Sequence, residues 1–457
     1  MNFASGSAQT SRPAAFQCRE IRDRLTGKTL RTYRHASGLQ VMNLPRPGFS
    51  RRFAAIAVPY GSIHTWFANQ NQTWQVPPGT AHFLEHCLFS RDDGGGLLGR
   101  MSGLGASANA YTTHDHTLYY FTAVHHDSAA LELYLDAIFQ PYLEKDRIEA
   151  ERPIILAELD QYHDDPEARC YMRLMENLYV NHPIRLDIGG TAESVRAIGS
   201  GDLQAVWQQF YQPSRLLLTL AGDWDETGIL ELLDRRLDKF KPADGTSGPA
   251  QAAYPLEPAH PGQAASVLRM DVAAPSFLVG IKDPVLLPGQ ELTGKDLAIR
   301  QQAGHLLFEA LLSPASPLYD SLYADGLIND SFGFHYDCAE NFAFLTCGGE
   351  SSRPEQAAAS VRDRLIRHFA SGVDPSLFAI QKRAAAGGFV RSLDSVEQSG
   401  LVQAQCSLHG MNLFDYPELY DKIDYATACG MMAFLADPAC YSATIMHPLE
   451  VTVSHEL

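Results

Sequence analysis

The chain has no run of 18 apolar residues, so no membrane-spanning helix is expected. Its first residues, Met1 to Gln17, lack an apolar core, which argues against a secretory signal. That stretch is Ser-rich and free of acids, with Arg12 its only basic residue. It is a weak match to an organelle transit segment, and a cytoplasmic protein is the simpler reading. Basic residues are scarce: Lys+Arg 36 against Asp+Glu 53 leaves a formal net charge of −17. A general nucleic-acid binder would want a basic face, so no nucleic-acid partner is expected. An acidic surface favours solubility and is compatible with attracting a basic peptide. The eight cysteines are scattered, and none forms C-x-x-C. They read as reduced core residues rather than a disulfide framework.

At 457 residues the chain exceeds one hydrophobic core, and two or more domains are expected. Residues 1–30 read as a loose lead-in. Phe53 to Val58 is a strand ending at Pro59. Pro77-Pro78-Gly79 breaks the chain, and Thr80 can cap a helix through Phe89. Gly94 to Gly99 formally matches G-x-G-x-x-G, but it follows a helix and opens no βαβ unit. A flexible loop is expected there, and a nucleotide-binding oxidoreductase is rejected. Ser107–Thr113 and Thr117–Val124 read as paired strands, with His114-Asp115-His116 at their turn. Helices follow from Asp127 to about Gln140 and from Lys145 to Tyr162, the latter carrying Pro153, which should kink or restart it. The Pro- and Gly-rich stretch 241–262 reads as a linker. Beyond it, a strand at Ser276–Ile281 and a helix through His305–Leu312 echo the first half. Phe308 and Glu309 stand where Glu85 and His86 would fall, so the echo lacks their chemistry.

That chemistry sits in Thr80–Phe89. His82 and His86 are four apart and share one helix face. Glu85 lies on the edge of that face. Two such histidines can grip one zinc ion, and the flanking Glu can serve its bound water. The order H-x-x-E-H is the inverted-zincin signature. Cys87 points about 100° away from His86 and belongs to the core.

Zinc chemistry needs a third ligand. Glu151 and Glu158 are seven apart, and seven residues close to within about 20° of two turns, so both face one way. Ile154-Ile155-Leu156 between them implies a buried helix. A rise of roughly 10 Å separates the two, so one would be the ligand and the other a supporting group. His114 and His116 are rivals, read as a solvated turn pair. His125, His126 and His163 are rivals read as surface residues.

With these residues, the chain resembles the pitrilysin and mitochondrial processing peptidase family of inverted-zincin metallopeptidases. The resemblance rests on His82-x-x-Glu85-His86, Asn109-Ala110-Tyr111-Thr112, Glu151 with Glu158, and His182-Pro183-Ile184-Arg185 leading to Gly189-Gly190-Thr191-Ala192-Glu193-Ser194. The half-chain repeat adds to it. The chain looks closest to a bacterial two-domain subgroup that bears one zinc motif. Phe389-Val390-Arg391-Ser392-Leu393-Asp394-Ser395 and Asn412-Leu413-Phe414-Asp415-Tyr416 also resemble that subgroup.

The resemblance implies an α+β fold of two homologous domains, 31–240 with the zinc motif and 263–457 without it. Each would be a mostly antiparallel sheet packed with helices, and together they would form half of a clam-like chamber. One Zn2+ per chain would be held by His82, His86 and Glu158. Glu85 would be the general base, and Glu151 the supporting catalytic acid. Ala108, Asn109, Ala110 and Tyr111 would offer a strand edge to a peptide substrate. A dimer is implied, with a homologous zinc-less subunit or, alternatively, with itself. The function implied is a zinc endopeptidase or processing peptidase acting on peptides or leader segments. The alternative, from another class, is a non-catalytic assembly subunit.

Overall fold

Two sheets that share a five-stranded arrangement carry the chain. In a computed structural model describing residues 16–89, 96–240 and 250–449, the first sheet has seven strands. They are β1 (Phe16–Arg22), β2 (Thr29–His35), β3 (Gln40–Pro45), β4 (Arg52–Val58), β7 (Ala106–Thr112), β8 (Thr117–Ala123) and β9 (Leu217–Gly222), in the order β1-β2-β3-β9-β4-β8-β7. A small sheet places β10 (Gln251–Ala252) beside β5 (Trp66–Ala68) and β6 (Thr73–Gln75). The second half forms β11 (Ala265–Met270), β12 (Ser276–Lys282), β13 (Gly333–Cys338), β14 (Ala343–Glu350) and β15 (Tyr441–Pro448), ordered β11-β15-β12-β14-β13.

Five strands of the first sheet, β3-β9-β4-β8-β7, match the second sheet strand for strand, and β1 and β2 extend the first beyond it. β3 runs parallel to β9 as β11 does to β15. The next three pairings are antiparallel in both: β9-β4, β4-β8 and β8-β7, against β15-β12, β12-β14 and β14-β13. The helices Thr80–Phe89 and Gly294–Leu312 fall at the same point of each unit, between its second strand and its edge hairpin. The fold is α+β with two related sheet-bearing halves.

Strand β4 is buried from Phe53 to Val58, so both its faces are covered. Ala54, Ile56 and Val58 face the core of the first half. Phe53, Ala55 and Ala57 face a second core, built with Val396, Ala404 and Cys406 of the helix Val396–Leu408. That helix belongs to the other half of the chain. Its approach needs Gly400, where a Cβ would stand 2.2 Å from the Phe53 ring. The exchange is reciprocal. Helix Pro166–Leu178 of the first half lays Leu174 and Leu178 against Gly280 of β12. Leu174, Met175 and Leu178 share a core with Phe342 and Phe344. Each half thus covers the other's sheet, which clasps the two together.

Several sequence expectations are corrected here. Of the expected lead-in 1–30, residues 1–15 lie outside the described residues, and the rest forms β1 and the start of β2, which extend the first sheet. The expected loop at Gly94–Gly99 begins a helix, Gly96–Gly103, while residues 90–95 lie outside the described residues. The helix with Pro153 does not restart there and is one element over Lys145–Asp164. Buried Ile148 and Glu151 before the proline, and Ile155 and Leu159 after it, hold it on both sides. Of the expected linker 241–262, residues 241–249 lie outside the described residues. The remainder is docked: Gln251 and Ala252 pair with β5, and Glu257 is buried. The Glu257 carboxylate accepts the backbone N–H groups of Val180, Asn181 and His182 at 2.7–2.9 Å and Lys282 Nζ at 2.6 Å.

Candidate active site

The helix Thr80–Phe89 enters from a backbone-on-backbone contact. Gly79 has φ +87°, and a Cβ there would stand 2.3 Å from the Gly189 carbonyl oxygen. A Cβ on Gly190, at φ +81°, would stand 2.5 Å from the Pro78 oxygen. Two glycine turns are therefore pressed together, as side chains would forbid. This contact seats the start of the histidine helix. Ala81, Phe83, Leu84, Cys87 and Leu88 then turn into the core. His82 and His86 are left on the opposite side, facing helix Lys145–Asp164.

His82 Nε2 lies 3.7 Å from one Glu158 oxygen, and His86 Nε2 lies 3.3 Å from the other. One donor atom from each of the three residues falls within 4.8 Å of the others. Two imidazole nitrogens and a carboxylate, with space left on one side, are a donor set that suits a zinc ion keeping an open position. Behind it, His86 Nδ1 is 3.0 Å from Glu151 Oε1. That contact fixes the ring so that Nε2 faces Glu158, the arrangement usual for a metal-binding histidine.

Electrostatics agrees with this geometry. Burial, and then the neighbouring His86, pull the His82 imidazole down to about 4, so it is neutral and able to coordinate at neutral pH. Burial also acts downward on His86. The hydrogen bond to Glu151 and the charges of Glu158, Glu151 and Glu85 outweigh it, and the group is raised. Glu85 is raised by burial, only partly offset by a hydrogen bond from Thr112 and by His86. A buried carboxyl shifted upward is suited to exchanging protons.

Sequence reasoning missed Thr112 as a site residue. Its Oγ1 donates to Glu85 Oε2 at 2.5 Å. It shares a face of β7 with Ala110, so the period-two alternation would have found it. Missed too were Tyr162 and Asp187, which line the cleft beside Glu158.

Strand β7 is the edge of the first sheet and runs past the site. A cavity of about 400 Å³ opens on one side, between His82, Ala110, Tyr111 and Glu158, with Tyr171 and Met172 behind. A second of about 540 Å³ opens on the other, between Glu85, Asn109, Ala110 and Ile154. Ala110 borders both, and its N–H, on the exposed edge, is taken by Asn109 Oδ1 at 2.8 Å. Ala108 lines neither. The Tyr111 hydroxyl accepts from Gln405 Nε2 at 3.2 Å, which ties the edge strand to the other half.

Among the rival histidines, His125, His126 and His163 are exposed, as expected. His114 and His116 are half-buried rather than freely solvated, which corrects the expectation. The two halves close over their turn, with the His114 ring 5.9 Å from that of Phe342. Asp115 is held well below the usual carboxylate range. Burial opposes this, but the hydrogen bond and charge of His116 prevail.

The description "Insulinase (Peptidase family M16)" fits residues 60–192, and "Peptidase M16 inactive domain" fits residues 197–385. An uncharacterized zinc protease of Bacillus subtilis, YmfH, is 32% identical over 400 residues, covering 87% of this chain and 91% of that one. The crystal structure of an M16-like peptidase from Alicyclobacillus acidocaldarius superposes with a TM-score of 0.84 at 28% identity, over 96% of this chain and all of that one. Pitrilysin shares the fold with a TM-score of 0.70 at 17% identity, over 95% of this chain but only 46% of its own. A relative named as a zinc protease thus aligns with most of the chain, and the protein belongs to peptidase family M16.

Proposed function

We propose that the protein is a zinc-dependent endopeptidase or processing peptidase, with His82, His86 and Glu158 holding one catalytic zinc per chain. The observation that carries this reading is the convergence of those three side chains beside a buried Glu85, along the open edge of β7. When bound there, zinc supplies Lewis acidity toward a peptide carbonyl and toward water. Glu85 is the general base: it takes the proton of the attacking water and delivers it to the leaving amine. Thr112 holds the Glu85 carboxylate in place through Oε2. Glu151 acts through His86 and is a positioning residue rather than one that touches substrate.

The peptide adds to β7 as a further strand, displacing the Asn109 side chain from the Ala110 N–H. The cavities on either side of Ala110 take the residues flanking the cut. Recognition by backbone pairing suits peptides or leader segments of varied sequence.

Pitrilysin is about twice the length of this chain, which supports reading the chain as half of a clam-like chamber. We therefore propose a dimer, with a homologous zinc-less subunit or with a second copy. A reducing, cytoplasmic setting suits eight free cysteines.

Glu85→Gln is the test. Zinc content should stay at the wild-type level while hydrolysis of a quenched-fluorescence peptide falls by about 100-fold or more. An active Glu85→Gln protein would remove the assignment.

A further inference from the structure

A second group of metal-binding side chains lies away from the cleft. Cys440 sits immediately before β15, and its sulfur is 4.0 Å from His260 Nδ1 and 3.9 Å from Asp437 Oδ2. One donor atom of each residue lies within 4.8 Å of the others. We infer that His260, Asp437 and Cys440 form a second cation site, for a borderline-soft divalent ion such as zinc, which staples the docked interdomain segment to β15.

Local structure prepares these donors. Pro438–Cys440 is a turn of 3-10 helix capped by Asp437. Residues three apart eclipse on such a turn, so the Asp437 and Cys440 side chains stand on the same side. Asp437 spends Oδ1 on the Ala439 N–H at 2.9 Å, which leaves Oδ2 toward the sulfur. His260 comes from a different part of the chain, two residues before Gly262 donates its N–H to Asn177 O at 2.8 Å. The backbone is thus held on both sides before any ion arrives.

One nitrogen, one sulfur and one carboxylate oxygen make a three-ligand set of the kind that zinc accepts. Cys440 is fully buried, whereas His260 and Asp437 are exposed, so a water can complete the coordination. On binding, the Cys440 thiol gives its proton to solvent and coordinates as thiolate. Thiolate and carboxylate then neutralise the charge of the ion, and the imidazole coordinates in its neutral form. A nucleophilic role fits poorly. In a Cys-His-Asp triad the acid orients the imidazole, whereas here it touches the thiol, and the buried sulfur has no access to a substrate.

Cobalt(II) titration of the full chain tests the site. The proposed catalytic ligands include no sulfur, so a near-ultraviolet thiolate-to-cobalt band reports the second site alone. Binding should rise to about two ions per chain, with the band growing in. Cys440→Ser should abolish the band and about one equivalent. His260→Ala, on an exposed side chain, should weaken that equivalent by about 10-fold or more and leave peptide cleavage unchanged. Absence of the band in the wild-type chain at saturating cobalt would overturn the inference. So would a band that persists unchanged in His260→Ala, a variant that decides the matter even if Cys440→Ser fails to fold.

Discussion

His86 Nδ1 and Glu151 Oε1 lie 3.0 Å apart, across 65 positions of sequence. The contact joins the helix that carries both histidines to the helix that carries Glu158, so it aligns the two sources of donors. Glu151→Gln keeps the shape but loses the charge that favours the His86 N–H. Zinc affinity, measured by competition with a chelator, should fall about 10- to 100-fold. Unchanged affinity would show that Glu151 does not position His86.

Thr112 touches Glu85 rather than His82, His86 or Glu158. Its hydroxyl lowers the Glu85 carboxyl against the upward push of burial. Thr112→Val removes the donor at nearly constant shape, so the carboxyl should move further up. A general base must be ionised, and activity is lost as pH falls through its pKa. The acid limb of the kcat/KM profile should therefore shift to higher pH, with a loss of about 10-fold at neutral pH. A profile identical to wild type would contradict the role given to Thr112.

Gly79→Ala meets two obstacles at once, a left-handed backbone at φ +87° and the Gly189 carbonyl oxygen 2.3 Å from the new Cβ. A stability loss of about 2 kcal/mol or more is expected from denaturant unfolding. Because the clash separates the start of the histidine helix from the Gly189–Gly190 turn, zinc retention should weaken as well.

Glu257 and Lys282 form an ion pair whose side chains are fully buried. Burial pushes the Glu257 carboxyl up, but Lys282 and the backbone N–H groups overcome it and hold the group below its ordinary value. A carboxyl lowered in the folded state adds stability above its unfolded pKa and loses it as pH falls through the folded one. Glu257→Gln should cost about 3 kcal/mol at neutral pH, since it strands the Lys282 ammonium. The gap between variant and wild type should narrow in acid. Equal unfolding midpoints at neutral pH would show that the pair does not secure the interdomain segment.

Much of the fold was legible in sequence because it is written locally. The apolar run Phe53–Val58, the Pro77-Pro78-Gly79 break and the helical periodicities each declare themselves within a few residues. Strand β1 was not legible. Phe16–Arg22 is mostly exposed and polar, and it is a strand because β2 offers it an edge. Docking of residues 250–262 was hidden for a similar reason, since its anchor, Glu257, reads as a surface acid until Lys282 and three N–H groups surround it. The same holds for His114-Asp115-His116. A polar turn implies solvent, and only the closure of the second half over it says otherwise.

What the sequence determined by itself is the pool of candidate donors and the helix faces they share. Helix geometry alone puts His82 and His86 on one face with Glu85 at its edge, and Glu151 and Glu158 on one face of another helix. What only the tertiary structure decided is where each of the two carboxylates stands relative to the imidazoles. Spacing makes Glu151 and Glu158 equivalent candidates. Packing of the two helices brings Glu158 to the Nε2 atoms of both imidazoles and leaves Glu151 behind His86 at Nδ1. The two acids differ by roughly 10 Å along a helix axis. The choice between them therefore depends on where one helix crosses another, and side chains distant in sequence set that crossing.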